Sequence, residues 1–489
     1  MPFNSYPYFL FLAVAVLGFR LLENRGPDGR RIFLLLASYA FYAWWRADFL
    51  LLLCGSTLVN FLIGRAIEQR RARLADRRAL LITGLAFNLG LIALFKYNTL
   101  FAETANQLLG IGLPVPHFFL PLAISFFTFE QISYLVDADA GKTHNYSLLD
   151  YALFVAYFPH LIAGPIVRHN DLIPQFHQLR SANHDLAVGI TLFSIGLAKK
   201  ALIADNLAPF ADAIFNAAAR GTALGATDSW LGTLFFAFQI YFDFSAYSDM
   251  ALGSSVMLGM RLPVNFHSPY KAASIIEFWR RWHISLSAFL RDYLYFPLGG
   301  NRRGPTRRTL NLMITMLLGG LWHGANWTFM LWGGLHGLYL SINHAFRHAT
   351  KGISVPAAWR MPLHAASVVL TFAATSLAWI LFRSPDLASA GRLFGGLLGL
   401  GDSAVVRFSP LAAVALTLLF GLVWLMPNAM EMMWRYRPAL PSPYADQPVT
   451  QAQRFSWAPT PRNAFAYGLL CIMAVLALSN LKPFIYFQF

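Results

Sequence analysis

Two histidines have the surroundings to move a proton or carry an acyl group. His323 lies in the stretch Gly319-Gly320-Leu321-Trp322-His323-Gly324, near the end of an apolar run. His283 lies 40 residues earlier and also directly follows a tryptophan. If the apolar run starts at Thr309 at an inner membrane face, His323 sits 14 residues in, about 21 Å deep at about 1.5 Å per residue. An ionisable side chain at that depth is a functional candidate. Imidazole, with an unperturbed pKa of about 6.5, suits general-base work at neutral pH. The flanking glycines allow close approach of a backbone or a ligand. The two histidines face one lumen if the segment carrying His283 tucks under the bundle. A lone intramembrane histidine also serves as a hydrogen-bonding residue between helices. That packing reading fits His336, in a Gly-rich helix, and His160, beside Pro159.

A second set of polar groups, Asp243, Tyr247 and Ser248, interrupts the long apolar run 230–260. Either they form a network lining a cavity or they cap a broken helix near the surface. From Glu277 to Asp292 the chain carries five charges: Glu277, Arg280, Arg281, Arg291 and Asp292. Burying them at about 2.5–3.5 kcal/mol each near the bilayer centre would cost about 12–17 kcal/mol, so this is no span. Phe278, Trp282, Leu286, Phe289 and Leu290 recur at helical spacing, which predicts an interfacial amphipathic helix. A basic Gly-rich turn follows at 297–304. Cys54 and Cys471 both lie in apolar runs and read as small buried hydrophobes. With no HExxH, CxxC or carboxylate at ligand spacing, no metal is expected. GxSxG, Walker A and GxGxxG motifs are absent, so serine-hydrolase, NTPase and Rossmann chemistry have no support.

The elements that position these residues are membrane helices. Of 489 residues, 57% are hydrophobic and only 12% charged, against about 25% charged in soluble domains. This excludes an ordinary soluble enzyme and a disordered chain. The net charge of +15 falls in short loops between apolar runs, the pattern of membrane topology rather than of nucleic-acid binding. Met1 to Leu22 has no basic residue ahead of its apolar stretch and reads as a first span, not a cleavable signal. Arginines at 20–31 and 65–78 predict cytoplasmic loops. Residues 32–64 must then form a hairpin turning at Arg46-Ala47-Asp48, with Trp44 and Trp45 at the outer interface. The expected architecture is an all-α polytopic bundle of about 10–12 transmembrane helices with re-entrant and interfacial segments. One integral membrane domain is expected over residues 1–489, with 265–308 cytoplasmic or interfacial and 309–346 carrying the Trp-His-Gly motif. Residues 429–462 read as a polar loop, and both termini are expected on the outer side.

Six stretches carry a family likeness: Phe126–Asp139 (FFTFEQISYLVDAD), Phe158–Arg168 (FPHLIAGPIVR), Gln239–Gly253 (QIYFDFSAYSDMALG), Phe278–Gly300 (FWRRWHISLSAFLRDYLYFPLGG), Gly320–Asn326 (GLWHGAN) and Phe484–Phe489 (FIYFQF). With them the chain resembles the membrane-bound O-acyltransferase (MBOAT) superfamily. It is most similar to the bacterial branch of alginate O-acetyltransferase membrane subunits and relatives that acetylate peptidoglycan or cellulose or pass D-alanine toward teichoic acids. The resemblance implies a helical bundle around a central tunnel in the inner membrane. It implies His323 as the essential histidine and His283 as the second active-site position. No permanently bound cofactor is implied. The donor would be acetyl-CoA or an acyl-carrier thioester from the cytoplasm. The acceptor would be a periplasmic polysaccharide, reached with a periplasmic SGNH-hydrolase-like partner. Lys271, Arg280, Arg281, Arg302 and Arg303 would meet the phosphates of coenzyme A, or serve topology and lipid headgroups alone. Trp282 and Trp322 flank the site as further donor-side candidates. Two non-enzymatic readings stand beside this one: an acyl or polymer conduit, and a scaffold of an export complex docked through an exposed aromatic tail, Phe484–Phe489.

Overall fold

The computed structural model describes residues 1–23, 26–115, 118–179, 182–402, 410–440, 455–479 and 482–485. These residues are almost entirely helical; the one extended pairing among them is an isolated bridge between Pro263 and Leu440. Four helical stretches are long and apolar enough to cross a bilayer: Asp48–Gln69, Leu74–Leu109, Asn183–Ala219 and Ala357–Arg383. Three shorter apolar helices, Tyr6–Leu21, Ala412–Leu425 and Pro461–Leu476, join them. Helices must carry this chain, because in hydrocarbon each backbone N–H and C=O needs a partner within its own segment.

The first hairpin is built as the charge pattern requires. Helices Gly26–Ala43 and Asp48–Gln69 flank a break in which Trp44 and Trp45 are exposed and Arg46 pairs with Asp48 at 2.5 Å. The apolar run 148–164 is broken at Tyr157 into Leu148–Ala156 and the single turn Phe158–Leu161, which carries Pro159 in its first positions. Helix Ala226–Met257, 32 residues long, runs unbroken through the middle of the molecule and is buried along most of its length. Its continuity removes the alternative in which Asp243 and Ser248 cap a broken helix.

Among the described residues, three π-helical turns interrupt the bundle, at Ala93–Tyr97, Lys199–Ala204 and Arg291–Tyr295. Such turns insert a residue into the helical ladder and re-aim the side chains they carry. Each of these three brings charged residues into the bundle: Lys96, then Lys199 and Lys200, then Arg291 and Asp292.

Helices Gly304–His323 and Trp327–Ala349 form a tight hairpin. A Cβ on Gly320 would lie 2.2 Å from Phe329 O, and one on Gly333 2.1 Å from Met316 O. Backbone meets backbone there, so only glycine fits. Asn326 ends the connection: its side chain accepts from Thr328 N at 3.0 Å and donates to Pro385 O at 2.7 Å.

The amphipathic surface helix expected over 277–292 is not what forms. Two short helices, Ile275–Arg281 and Ile284–Leu290, meet at a break, and Phe278, Trp282, Leu286, Phe289 and Leu290 are all buried. The charges that argued against burial are paired or exposed. Arg281 donates to Glu277 at 2.6 Å, Asp292 accepts from both Arg291 and Arg168, and Arg280 remains exposed. Pairing removes most of the penalty counted for isolated charges.

Candidate active site

The break between the two short helices falls on His283. Its φ of +43° puts a non-glycine residue in the left-handed region, a strained choice that clusters at functional sites. The segment at 265–267 repairs the interrupted ladder: His267 N donates to Arg281 O at 2.9 Å and Ile284 N to Asn265 O at 3.0 Å. The Asn265 side chain also fixes the ring. Its Oδ1 lies 3.1 Å from His283 Nδ1 and accepts from Ser285 Oγ at 2.9 Å. With that oxygen accepting, Nδ1 holds the imidazole proton and Nε2 is the basic nitrogen.

His323 is the last residue of its helix, which starts at Gly304 rather than Thr309. The rings of His283 and His323 lie 6.2 Å apart, centroid to centroid. The two histidines thus share one site, and the segment carrying His283 does tuck into the bundle. Trp322, Trp332 and Phe382 surround His323 at ring separations of 5.0, 5.1 and 5.3 Å. Trp282 and Trp322 are both buried beside the histidines.

Two cavities meet at this point. One, of about 330 Å³, is lined by Met1, Trp45, Lys96, Ser125, Trp322 and His323 among others. The other narrows to about 10 Å³, the room of one water, between Asp243, Trp282, His323, Trp332, Trp379 and Ile485. Among the described residues, His323 is the single one common to both linings.

Asp243, Tyr247 and Ser248 do not bond to one another. Asp243 Oδ1 accepts from Lys200 Nζ at 2.8 Å and its Oδ2 from Ile485 N at 2.9 Å. Tyr247 OH accepts from Ala163 N at 3.3 Å. Ser248 Oγ accepts from Asn265 Nδ2 at 3.3 Å, which links it to His283 through one amide. Of the three, Asp243 alone lines the cavity with His323. His336 and His160 are packing residues: His336 Nδ1 accepts from Trp279 Nε1 at 3.3 Å, and His160 pairs with Glu130 at 3.0 Å.

The basic residues divide. Lys271 donates to Met426 O at 2.8 Å and lies in the field of Arg281 and Glu431; burial holds its ammonium below the ordinary value, against the pull of Glu431. Arg302 and Arg303 are exposed on the turn before Gly304, and no described contact joins them to Lys271 and Arg281. The aromatic tail is not an exposed docking element where it is described: Phe484 and Ile485 are buried, with Phe484 5.0 Å from the Tyr247 ring. Residues 486–489 lie outside the described residues.

Sequence reasoning missed Asn265, Lys96, Tyr97 and Lys200. Lys96 Nζ donates to Trp322 O at 2.6 Å and His323 O at 3.1 Å, and Tyr97 OH to Leu321 O at 2.8 Å. The one available signal was a lysine at the edge of an apolar run.

The model of the membrane-bound O-acyltransferase family, MBOAT, matches residues 87–382, which include every helix that builds this site. The chain belongs to the MBOAT family. This MBOAT protein is 42% identical over 431 residues to a peptidoglycan O-acetyltransferase of Helicobacter pylori, covering 82% of this chain and 80% of the relative. It is 40% identical to a probable alginate O-acetylase AlgI of Pseudomonas putida, over the full length of both. A teichoic acid D-alanyltransferase of Streptococcus thermophilus is 26% identical over 48% of this chain and 59% of its own. The protein is therefore a membrane-embedded O-acyltransferase, and the readings as a mere conduit or scaffold give way.

Proposed function

We propose that this MBOAT protein moves an acetyl group from a cytoplasmic thioester, acetyl-CoA or a carrier-protein thioester, to a periplasmic polysaccharide of the alginate type. The observation that carries the reading is His323, among the described residues the one shared by two cavities, facing His283 at 6.2 Å. A base at that junction reaches a donor from one side and an acceptor from the other. His323 takes the proton of the attacking hydroxyl, the hydroxyl oxygen bonds to the acyl carbon, the C–S bond breaks, and the thiolate leaves with the proton held by the imidazole. In the relay version, the imidazole nitrogen bonds the acyl carbon as the C–S bond breaks and thiolate leaves; the acceptor hydroxyl oxygen then bonds that carbon, the C–N bond breaks and the freed imidazole takes the hydroxyl proton. His283, held by Asn265, orients the acyl group or polarises its carbonyl. Lys271 and Arg281 meet the donor phosphates from the inner face.

The topology belongs to the same proposal: an inner-membrane protein of a Gram-negative envelope with both termini periplasmic. Met1 and Trp45, which the charge pattern puts outside, line the larger cavity with His323, and this supports an outward-facing acceptor side. A periplasmic SGNH-hydrolase-like partner completes the transfer. The full-length match to a probable alginate O-acetylase favours an alginate-like acceptor. The 42% match to a peptidoglycan O-acetyltransferase supports peptidoglycan as the second reading.

The test is CoA release and protein-bound label from radiolabelled acetyl-CoA, on purified wild type and His323→Ala. Release by the wild type and none by the folded variant is the expected result. Equal release by both would remove His323 from the reaction.

A further inference from the structure

Lys96 is a cation within an apolar helical stretch, Leu74–Leu109, and on the wall of the larger cavity that also holds His323. An ammonium in such a place needs compensation. Lys199 has it from Asp249 at 2.6 Å, and Lys200 from Asp243 and Asp205, each at 2.8 Å. Among the described residues, no carboxylate lies within 4.0 Å of Lys96 Nζ. Its partners are the backbone carbonyls of Trp322 and His323, with the Trp322 ring 6.0 Å away. Those carbonyls are the negative end of the Gly304–His323 helix, where a cation is favoured. A neutral donor would suffice for capping alone, and one is already present next door, since Tyr97 OH caps Leu321 O. The charge therefore does something the hydroxyl does not. A charge-assisted hydrogen bond is roughly twice as strong as a neutral one. Here it grips the backbone of the residue whose ring sits between the two cavities.

We propose that Lys96 is a positioning residue of the acyl transfer. Its ammonium clamps the carbonyls of Trp322 and His323 and so holds the His323 imidazole at the junction of donor and acceptor cavities. This rests on the role given to His323 above. The π-helical turn Ala93–Tyr97 is the device that delivers the clamp, since it presents Lys96 and Tyr97 together to successive carbonyls of one helix end. Because the clamp acts through His323, its loss disorders the reacting ring without touching the donor site. The effect belongs in kcat, with donor KM nearly unchanged.

The experiment is a substitution series at Lys96 in the full-length protein, with acetyl-CoA as donor. Lys96→Arg keeps charge and donors, Lys96→Gln keeps a donor without charge, and Lys96→Met keeps neither. The expected order of kcat is wild type, Arg, Gln, Met. The Met variant is expected to fall about 10- to 100-fold, with donor KM within about threefold. The clamp is overturned if Lys96→Met keeps kcat within threefold, if Gln equals wild type, or if the loss follows only the amount of folded protein. If His323→Ala itself retains release, the reading of His323 falls, not this series alone. If wild type releases no CoA from acetyl-CoA, the same variants are scored on O-acyl content of envelope polysaccharide in complemented cells, at matched membrane levels, with the same expected order.

Discussion

Two π-helical turns place lysines inside the bundle, and the lysines are treated in opposite ways. Lys200 is sealed: its side chain is 1% exposed, it pairs with Asp243 and Asp205, donates to Pro483 O at 3.2 Å and lies 4.6 Å from the Phe484 ring. Lys96 is half-buried, borders a cavity, and is met by carbonyls rather than carboxylates. The difference separates structure from reactivity. Two carboxylates around one ammonium fix helix against helix and tail against bundle. A lysine on a helix end holds the backbone of that end instead.

The comparison breaks most visibly at Lys200. Lys200→Met leaves Asp243 and Asp205 without their cation in the interior. Removing one member of such a buried set costs about 3–5 kcal/mol. The expected outcome is loss of folded protein, read as detergent-extracted monodisperse yield and thermal midpoint. Asp243→Asn in the same chain should recover part of it; no recovery would mean that the pair is not the seat of the loss. Lys96→Met, by contrast, is expected to insert and fold with its main loss in turnover, which makes the two lysines opposites in one assay. Gly333→Ala comes next, since its Cβ would meet Met316 O at 2.1 Å. Overpacking of this kind costs typically about 1–3 kcal/mol, so the thermal midpoint should drop while donor KM holds. Asn265→Ala frees the His283 ring from its amide partner and should lower turnover about tenfold, or about 1.4 kcal/mol, with the fold intact. Tyr97→Phe sharpens the contrast at the smallest scale. It removes one neutral cap worth about 0.5–1.5 kcal/mol and should leave turnover within threefold, well short of the Lys96→Met effect.

The first hairpin was readable because Arg46 and Asp48 mark a turn between two apolar runs, and its breadth follows from arginine clusters on either side. Both histidines were readable as candidates because each ring follows a tryptophan, and His323 also lies deep in an apolar run with few other ionisable groups. The segment 277–292 misled because five apolar residues at helical spacing describe a membrane-surface helix and a buried pair of half-helices equally well. Only the pairing of Glu277 with Arg281 and of Asp292 with Arg168 decides between them, and those partners come from tertiary structure. Asn265 could not be found by spacing, since its amide reaches His283 from a separate loop, 18 residues away, rather than along an element. Lys96 reads in sequence as an interfacial lysine at a helix end. Its partners lie 226 and 227 residues away.

The crevice between Asp243, His323, Trp332 and Trp379 holds about one water, and an acetyl group is larger than that. Anything that crosses this waist must first turn an indole or a phenyl ring aside. The width of this waist is therefore a property of a densely packed aromatic wall, and only a movement of that wall opens it to an acyl group.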